Sequence, residues 1–132
     1  MKKNFTYLGK KSVQPTRQLD VFDCPPDVSL VRFESNELTT FCPVTGQPDF
    51  NTIVIEYQPR KKCIESKSLK LYLWSYRNEA MFAEELAHSI ARDIYQAIRP
   101  FHCMVILRQN IRGGLQLTVT AEKGKKRKTT LS

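Results

Sequence analysis

FAEELAHSIARDIYQAI, residues 82–98, carries the clearest structural pattern in the chain. An apolar side chain recurs at every fourth position and so lies on one face of an α-helix: Phe82, Leu86, Ile90, Ile94 and Ile98. Asn78 is a candidate N-cap for this helix, and Pro100 ends it. A shorter stripe predicts a preceding helix from Ser68, with Leu69, Tyr72, Leu73 and Tyr76 on its apolar face.

Strand patterns stand on either side of these two helices. β-Branched and apolar residues predict strands over residues 28–33, 52–57, 103–107 and 115–120. The order strand, strand, helix, helix, strand, strand predicts an α+β fold in which the helices cover one face of an antiparallel sheet. Such a sheet has two open edges, which a domain of this size must cover or pair. The protein is therefore expected to be oligomeric.

The chain divides into three segments. Residues 1–26 are polar and contain prolines, which predicts an extended N-terminal arm. Residues 27–122 are predicted to form a single domain, and residues 123–132 a basic C-terminal tail. No apolar run is long enough to cross a bilayer, and the first residues lack the apolar stretch of a secretory signal. A cytoplasmic protein without membrane contact is expected.

The net charge of +8 is concentrated near the C-terminus. Five positive charges fall within residues 123–128, which leaves only +3 for the rest of the chain. Such a run is usually a solvated tail, and contact with phosphate or RNA is the alternative. A mildly basic body suits an anionic small molecule at least as well as a polymer, so a nucleic-acid partner is not expected.

The candidate reactive group is Cys42, in the sequence FCPVTGQPDF of residues 41–50. Without an export signal the four cysteines should stay reduced, and no pair has C-x-x-C spacing. Two histidines are too few for a convincing metal site, so no metal is predicted. Two prolines stiffen the loop, and Gly46 permits a turn that brings Asp49 towards the sulfur as a proton donor. The alternative is that Cys42 is a small buried apolar residue.

A second candidate site begins at residues 65–72, which read ESKSLKLY. Its two serines are candidate helix caps, and the backbone N–H groups there form an anion site that Lys67 and Lys70 could complete. Capping alone would also explain the pattern. Glu84, in the longer helix, is either a solvated carboxylate or an acceptor for two N–H groups of a guanine-like edge.

The segments 42–50 and 65–72 resemble the motifs of the QueF family, the NADPH-dependent 7-cyano-7-deazaguanine reductases of queuosine biosynthesis, in their short single-domain form. Both motifs match with the family's spacing, and Arg112-Gly113-Gly114 also fits. The resemblance runs from about Leu19 to Thr120. It implies a tunnelling fold, with the order ββααββ, and ring-like oligomers with active sites between subunits.

The same resemblance implies roles for individual residues. Cys42 would attack the nitrile carbon to form a covalent thioimide, Asp49 would protonate the nitrogen, and two NADPH would take the thioimide to the primary amine. The residues expected to hold the deazaguanine are Ile64, Glu65, Ser66, Ala83 and Glu84, and those expected to meet the NADPH phosphates are Lys67, Lys70 and Arg112. Because no Rossmann glycine fingerprint is present, the cofactor is expected in a groove between subunits.

The chain departs from the family pattern in two places. Many members have His-Glu where this chain has Ala83-Glu84, and Asn-His-Gly where it has Asn78-Glu79-Ala80. The missing histidine removes one candidate for the later proton transfers and leaves the nucleophile intact.

Two other functions are alternatives to the reductase. The missing histidine and the basic tail slightly favour a QueF-like amidine-forming enzyme, which would add ammonia to a 7-cyano-7-deazaguanine already in a nucleic acid. The intact segment 65–72, expected to serve NADPH, favours the reductase. A non-catalytic protein that binds a nucleobase or RNA is the third hypothesis, and the conjunction of Cys42, Asp49 and Glu84 argues against it.

Overall fold

The computed structural model describes residues 16–127. The strands are β1 (Val21–Asp23), β2 (Val31–Phe41), β3 (Pro48–Gln58), β4 (Lys62–Ile64), β5 (His102–Gln109) and β6 (Thr118–Gly124). Between β4 and β5 lie helix α1 (Ser66–Trp74), a 3-10 turn (Ser75–Asn78) and helix α2 (Ala83–Ile98). No helix within this described part of the chain is long and apolar enough to cross a membrane.

Four strands form one antiparallel sheet in the order β2-β3-β5-β6. The central strand β3 pairs along its length with β2 on one side and β5 on the other, for example Ile55 with Phe33 and with Val105. The short strands β1 and β4 pair separately, with Phe22 opposite Cys63. The predicted α+β class and antiparallel sheet are confirmed.

Both helices pack on one face of this sheet, α2 against β5 and β6 and α1 beside β2. Alternate residues of β3, such as Ile53 and Ile55, point towards the helices and are buried. The apolar stripe of α2 meets them, and Leu86, Ile90 and Ile94 are fully buried. Burying one such side chain contributes about 1.5–3 kcal/mol, so the stripe is what fixes α2 to the sheet.

The start of α2 differs from the prediction. Asn78 ends the 3-10 turn, and the residue before the helix is Phe82, which is exposed and makes no side-chain cap bond. The intervening chain runs along the end of β2 instead. There the N–H of Phe41 donates to the carbonyl of Glu79 at 2.8 Å, and the N–H of Met81 donates to the carbonyl of Phe41 at 3.0 Å. These bonds hold the segment extended, so the prediction of Asn78 as the N-cap was wrong.

The first strand of the sheet is longer than predicted. β2 covers Val31–Phe41, whereas the pattern predicts a strand over residues 28–33. Residues 34–37 are all polar and interrupt the apolar pattern, and the ladder with β3 shifts register between Ser35 and Leu38. A β-bulge at this point leaves the polar residues outside while Leu38 returns to the core.

The last strand begins later than predicted. β6 starts at Thr118 because Leu115 bonds back to Arg112 in the preceding turn. It continues to Gly124, within the predicted basic tail, and β1 lies within the predicted N-terminal arm. Residues 1–15 of that arm and residues 128–132 of that tail lie outside the described residues. The division into arm, domain and tail stays a prediction.

Candidate active site

The Cys42 loop, residues 42–47, joins β2 to β3 and is closed by two backbone hydrogen bonds. The N–H of Cys42 donates to the carbonyl of Gln47 at 2.8 Å, and the N–H of Gly46 donates to the carbonyl of Cys42 at 2.9 Å. Gly46 has a φ of 71°, a left-handed conformation that glycine adopts at little cost. The loop is therefore a closed turn that presents the thiol at one end of the sheet.

Hydrogen bonds to the sulfur lower the pKa of the Cys42 thiol. The side-chain hydroxyl of Thr45 has the largest effect, followed by the backbone N–H groups of Thr45 and Val44. Burial and the charge of Asp49 act in the opposite direction. The thiolate is the nucleophilic form, so the lowered pKa increases the reactive fraction. Cys42 is partly exposed, and the alternative of a buried apolar cysteine is therefore wrong.

The remaining cysteines contrast with Cys42. Burial raises the pKa of the Cys103 thiol to about 12. Burial and the neighbouring Cys24 thiol raise the pKa of Cys63 to about 11. Both groups stay as neutral thiols near neutral pH, in contrast to Cys42, whose surroundings favour the thiolate.

Asp49 lies at the start of β3, opposite Thr40 in the ladder with β2. It is 8% exposed, and a carboxylate oxygen lies 3.5 Å from the guanidinium of Arg112, in the turn after β5. The same guanidinium donates to the side-chain carbonyl of Gln47 at 3.1 Å and to the backbone carbonyl of Pro48. Arg112 thus fixes both the carboxylate and the end of the Cys42 loop.

Two buried polar side chains that the sequence did not predict as site residues adjoin Asp49. The amide of Asn51 donates to the carbonyls of Leu38 and Asp49, at 3.2 and 3.4 Å. The side-chain oxygen of Asn51 and the hydroxyl of Thr40 have no hydrogen-bond partner within the described residues. Buried polar atoms are normally paired, so these two oxygens are available to a bound polar molecule. In the sequence, both residues can be recognised only as polar residues at strand positions that point into the core.

The start of α2 lies at the same end of the sheet as Cys42, because Phe41 is bridged to Ala80. Ala83 is the first residue of the helix and is buried, and Glu84 is exposed in the first turn. A carboxylate at this position is stabilised by the helix dipole. Glu84 is thus an exposed carboxylate at the same end of the sheet as Cys42.

Glu65 caps α1 with its own carboxylate. One oxygen accepts from the N–H of Lys67 and the other from the N–H of Ser68, both at 2.8 Å. The predicted serine caps were wrong, because Ser66 is the first helical residue and the Ser68 hydroxyl donates to the Glu65 carbonyl at 2.8 Å. The carboxylate occupies N–H groups that the sequence predicted as an anion site.

An apolar cavity of about 520 Å³ borders Glu65 and Ser66. Its walls come from β1, β2, the end of β3 and β4, with the side chains of Phe22, Val31, Phe33, Tyr57 and Ile64. The Tyr57 hydroxyl accepts the N–H of Ile64 at 3.0 Å and so ties β3 to the segment before α1. A flat ring with a polar edge suits a cavity of this kind, because apolar walls meet one carboxylate at the rim.

The residues of α1 also border a cavity of about 680 Å³ between this helix and β2. Ser66, Lys70, Trp74 and Arg77 line its helical side. The β2 side of the cavity carries Glu34 and Glu37. Two cations and an indole make the helical side the part of the cavity that could face a ligand with phosphates and a flat ring. Lys67 lies on the same helix, whereas Arg112 lies against the Cys42 loop.

The two groups of candidate residues lie at opposite ends of β3. Asp49 is the second residue of that strand, and Tyr57, which bonds to Ile64, is the last but one. At roughly 3.3 Å per residue the separation is about 26 Å. The structure therefore groups Cys42 and Asp49 at one end and residues 64–70 at the other. No molecule of purine size can touch both groups in one chain.

Comparison with known proteins identifies the family. The family model described as QueF-like protein matches residues 48–128. A protein of Syntrophus aciditrophicus strain SB, named NADPH-dependent 7-cyano-7-deazaguanine reductase, is 45% identical over 119 residues, which cover 89% of this chain and 84% of the relative. A protein of the same name from Anaeromyxobacter sp. strain Fw109-5 is 46% identical over 115 residues, covering 86% and 94%.

A solved structure is similar as well. The crystal structure of the archaeosine synthase QueF-Like in the apo form has a TM-score of 0.70 and 27% sequence identity, and the match covers 75% of this chain and 97% of that chain. The chain belongs to the QueF-like protein family. The membership predicted from residues 42–50 and 65–72 is confirmed.

Proposed function

We propose that this protein is an NADPH-dependent reductase that converts the nitrile of 7-cyano-7-deazaguanine to an aminomethyl group, in queuosine biosynthesis. The observation that carries the proposal is the Cys42 thiol, partly exposed and with a lowered pKa, on a loop that leads directly into the strand with the buried carboxylate of Asp49. The shared name of the relatives supports the substrate, the reaction and the cofactor.

The first step is the addition of the Cys42 thiolate to the nitrile carbon. A carbon–sulfur bond forms, one π bond of the triple bond breaks, and the proton that the Cys42 thiol gave up reaches the nitrogen through the carboxyl group of Asp49. The product is a covalent thioimide, whose C=N carbon is a better electron acceptor than a nitrile. Thr45 has a positioning role, since its hydroxyl stabilises the thiolate before the attack and again when the sulfur leaves.

The conversion of nitrile to amine takes four electrons. Bound NADPH would supply them as two hydrides per substrate. Between the two reductions the Cys42 sulfur leaves as the thiolate while a C=N bond forms again, and the resulting imine would accept the second hydride. Lys67 and Lys70 on α1 are the proposed partners of the cofactor phosphates, beside the cavity that Trp74 and Arg77 also line. Arg112 was expected in this group, but its contacts with Asp49 favour a role in holding the carboxylate.

The deazaguanine would be held by carboxylates from two chains. Glu84 stands at the Cys42 end of the sheet, and Glu65 at the other end, beside the apolar cavity formed with Ile64. Each carboxylate oxygen of Glu65 has a second lone pair, so capping α1 leaves it able to accept from a purine edge. Buried Ala83 would pack beneath the same ligand.

We propose that the active site forms between subunits of an oligomer with the tunnelling fold. The separation of about 26 Å along β3 prevents one chain from supplying both groups of residues. The edge strands β2 and β6 are unpaired on one side within the described residues. Several exposed apolar side chains also lie around the Cys42 loop and the nearby turn after β5, namely Val44, Phe50, Ile111, Leu115 and Leu117. An interface would cover them.

The amidine-forming alternative is less well supported. The similar archaeosine synthase structure is 27% identical to this chain, whereas reductases from several bacteria are 40–46% identical. The cavity beside α1, with Lys70 and Arg77, would hold NADPH in a reductase. Amidine formation needs no NADPH and gives this cavity no role. A reaction that needs NADPH and a reduced thiol fits the predicted cytoplasmic location.

The reaction is tested with purified protein, 7-cyano-7-deazaguanine and NADPH. Intact mass should show an adduct that is absent in Cys42→Ala, and absorbance should show two NADPH consumed for each amine formed. Asp49→Asn should bind the substrate without turning it over. An adduct without NADPH oxidation would support amidine chemistry instead, and the absence of any adduct would overturn the proposal.

The shared site is tested by mixing two inactive variants. Cys42→Ala removes the thiol at one end of the sheet, and Glu65→Gln removes the carboxylate at the other end. When subunits exchange, activity should return at interfaces where an intact Cys42 end meets an intact Glu65 end. A mixture of Cys42→Ala with Asp49→Asn, which lie at the same end, is the matched control and should stay inactive. Equal recovery in both mixtures, or none in either, would contradict a site divided in this way.

A further inference from the structure

The C-terminal end of β6 carries a concentration of positive charge far from Cys42 of the same chain. The basic patch is the surface formed by Arg60, Tyr95, Phe101, Lys125, Lys126 and Arg127, around a cleft of about 660 Å³. It lies at the far end of β3, because the N–H of Phe101 donates to the carbonyl of Gln58, the last residue of that strand, at 2.9 Å. The proposed reaction makes no use of this surface.

The chain is anchored where it crosses the patch. The side chain of Gln58, which is 7% exposed, donates to the carbonyl of Arg127 at 3.3 Å and accepts the N–H of Arg127 at 2.7 Å. Gly124, just before, has a φ of 84°, and a Cβ there would lie 2.4 Å from the carbonyl oxygen of Phe101. Glycine thus lets β6 turn closely over Phe101. Up to Arg127 the backbone of the basic segment is held against the domain, while the side chains of Lys125, Lys126 and Arg127 stay exposed.

The positive charges of the patch are not neutralised within the described residues. The ion pairs among residues 16–127 include neither Arg60 nor any of residues 125–127. The guanidinium carbons of Arg60 and Arg127 lie 4.1 and 4.4 Å from the centroid of the Phe101 ring. An aromatic ring attracts a cation without cancelling its charge. The patch therefore keeps its positive field while its arginines are held in place.

We propose that the basic patch binds the phosphate backbone of a single-stranded nucleic acid. Several unpaired cations on one surface suit a chain of phosphates, whereas a single small anion would engage only one or two of them. Guanidinium groups resting on Phe101, with Tyr95 beside them, offer surfaces on which bases can stack. Stacking and phosphate contact are indifferent to base identity, so binding is expected to be independent of sequence.

The test measures the anisotropy of a short fluorescein-labelled oligouridylate with the full-length oligomer over a range of salt concentrations. The variant Lys125→Gln/Lys126→Gln removes two exposed charges and keeps the backbone bonds of Arg127 to Gln58. The matched control Arg32→Gln/Arg108→Gln removes two exposed charges outside the patch and outside the cavity beside α1. Each lost phosphate contact reduces the magnitude of the slope of log K against log salt by about 0.7. The slope of the patch variant should therefore be smaller by about 1.4, which corresponds to about 25-fold weaker binding near 0.1 M salt.

The control variant should keep most of the affinity, and the patch variant should keep the turnover of free 7-cyano-7-deazaguanine. That second result separates this inference from the proposed reaction, since one can fail without the other. Absence of binding by the unaltered protein, or equal losses in the two variants, would overturn it. Displacement of the oligonucleotide by NADPH, with a raised KM for NADPH in the patch variant, would assign the patch to the cofactor and overturn it as well.

Discussion

Replacing Glu65 by alanine removes a helix cap together with a proposed substrate contact. The carboxylate accepts the N–H groups of Lys67 and Ser68, both at 2.8 Å, and Glu65 is only 8% exposed. Loss of such a cap costs about 0.5–2 kcal/mol. The N–H of Ser68 is buried, and a buried donor without an acceptor costs about 1–3 kcal/mol. Both estimates include the same hydrogen bond from the Ser68 N–H, so they are not added. The free energy of unfolding should fall by about 2 kcal/mol.

Urea denaturation at fixed protomer concentration measures this loss, since assembly would otherwise change the apparent stability. Glu84→Ala is the matched control: it is also a proposed substrate contact, but its carboxylate is exposed in the first turn of α2 and caps nothing. Its loss should cost less than about 1 kcal/mol, the value of a charge at a helix dipole. Substrate binding should weaken in both variants. Equal stability of the two variants would refute the capping argument.

Three further outcomes follow from the thiols and from one glycine. Thr45→Val should raise the pKa of the Cys42 thiol, so the pH profile of alkylation by iodoacetamide should move to higher pH; an unmoved profile would remove Thr45 as the main cause of the lowered pKa. Cys103, whose pKa burial raises to about 12, should react with the same reagent only after unfolding, and rapid modification of the native protein would contradict its burial. Gly124→Ala should lower the free energy of unfolding by at least about 2 kcal/mol, because a left-handed residue gains a Cβ in contact with the Phe101 carbonyl; an unchanged thermal midpoint would contradict this.

The fold was predictable where one face of an element is buried. The stripe of α2 and the β-branched run of β3 each follow a strict period, since a single layer of core lies between them. The side-chain pattern did not predict where helices and strands begin and end, because backbone hydrogen bonds set those boundaries. Glu79 and Met81 pair with Phe41 and stay out of the helix, and no side-chain pattern signals that.

The candidate site was only partly predictable. Cys42 and Asp49 could be found from residue types on one stiff loop, because their chemistry needs only short-range geometry. The hydroxyl of Thr45 and the ion pair of Asp49 with Arg112 depend on how the loop and a distant turn meet, so they appear only in three dimensions. The capping role of Glu65 was missed because serine is the commoner cap.

The length of β2 and β3 explains why the proposed chemistry requires assembly. Both strands extend through Phe41 and Pro48 to the Cys42 loop, while the cavity beside Glu65 is built where β3 ends. An isolated chain would hold the Cys42 thiol at one end and the proposed substrate cavity about 26 Å away. Dilution below the dissociation constant of the oligomer should therefore abolish turnover while alkylation of Cys42 continues, because the lowered pKa of the thiol arises within its own loop. Turnover and thiol reactivity that fall together on dilution would show that the loop itself depends on the neighbouring subunit.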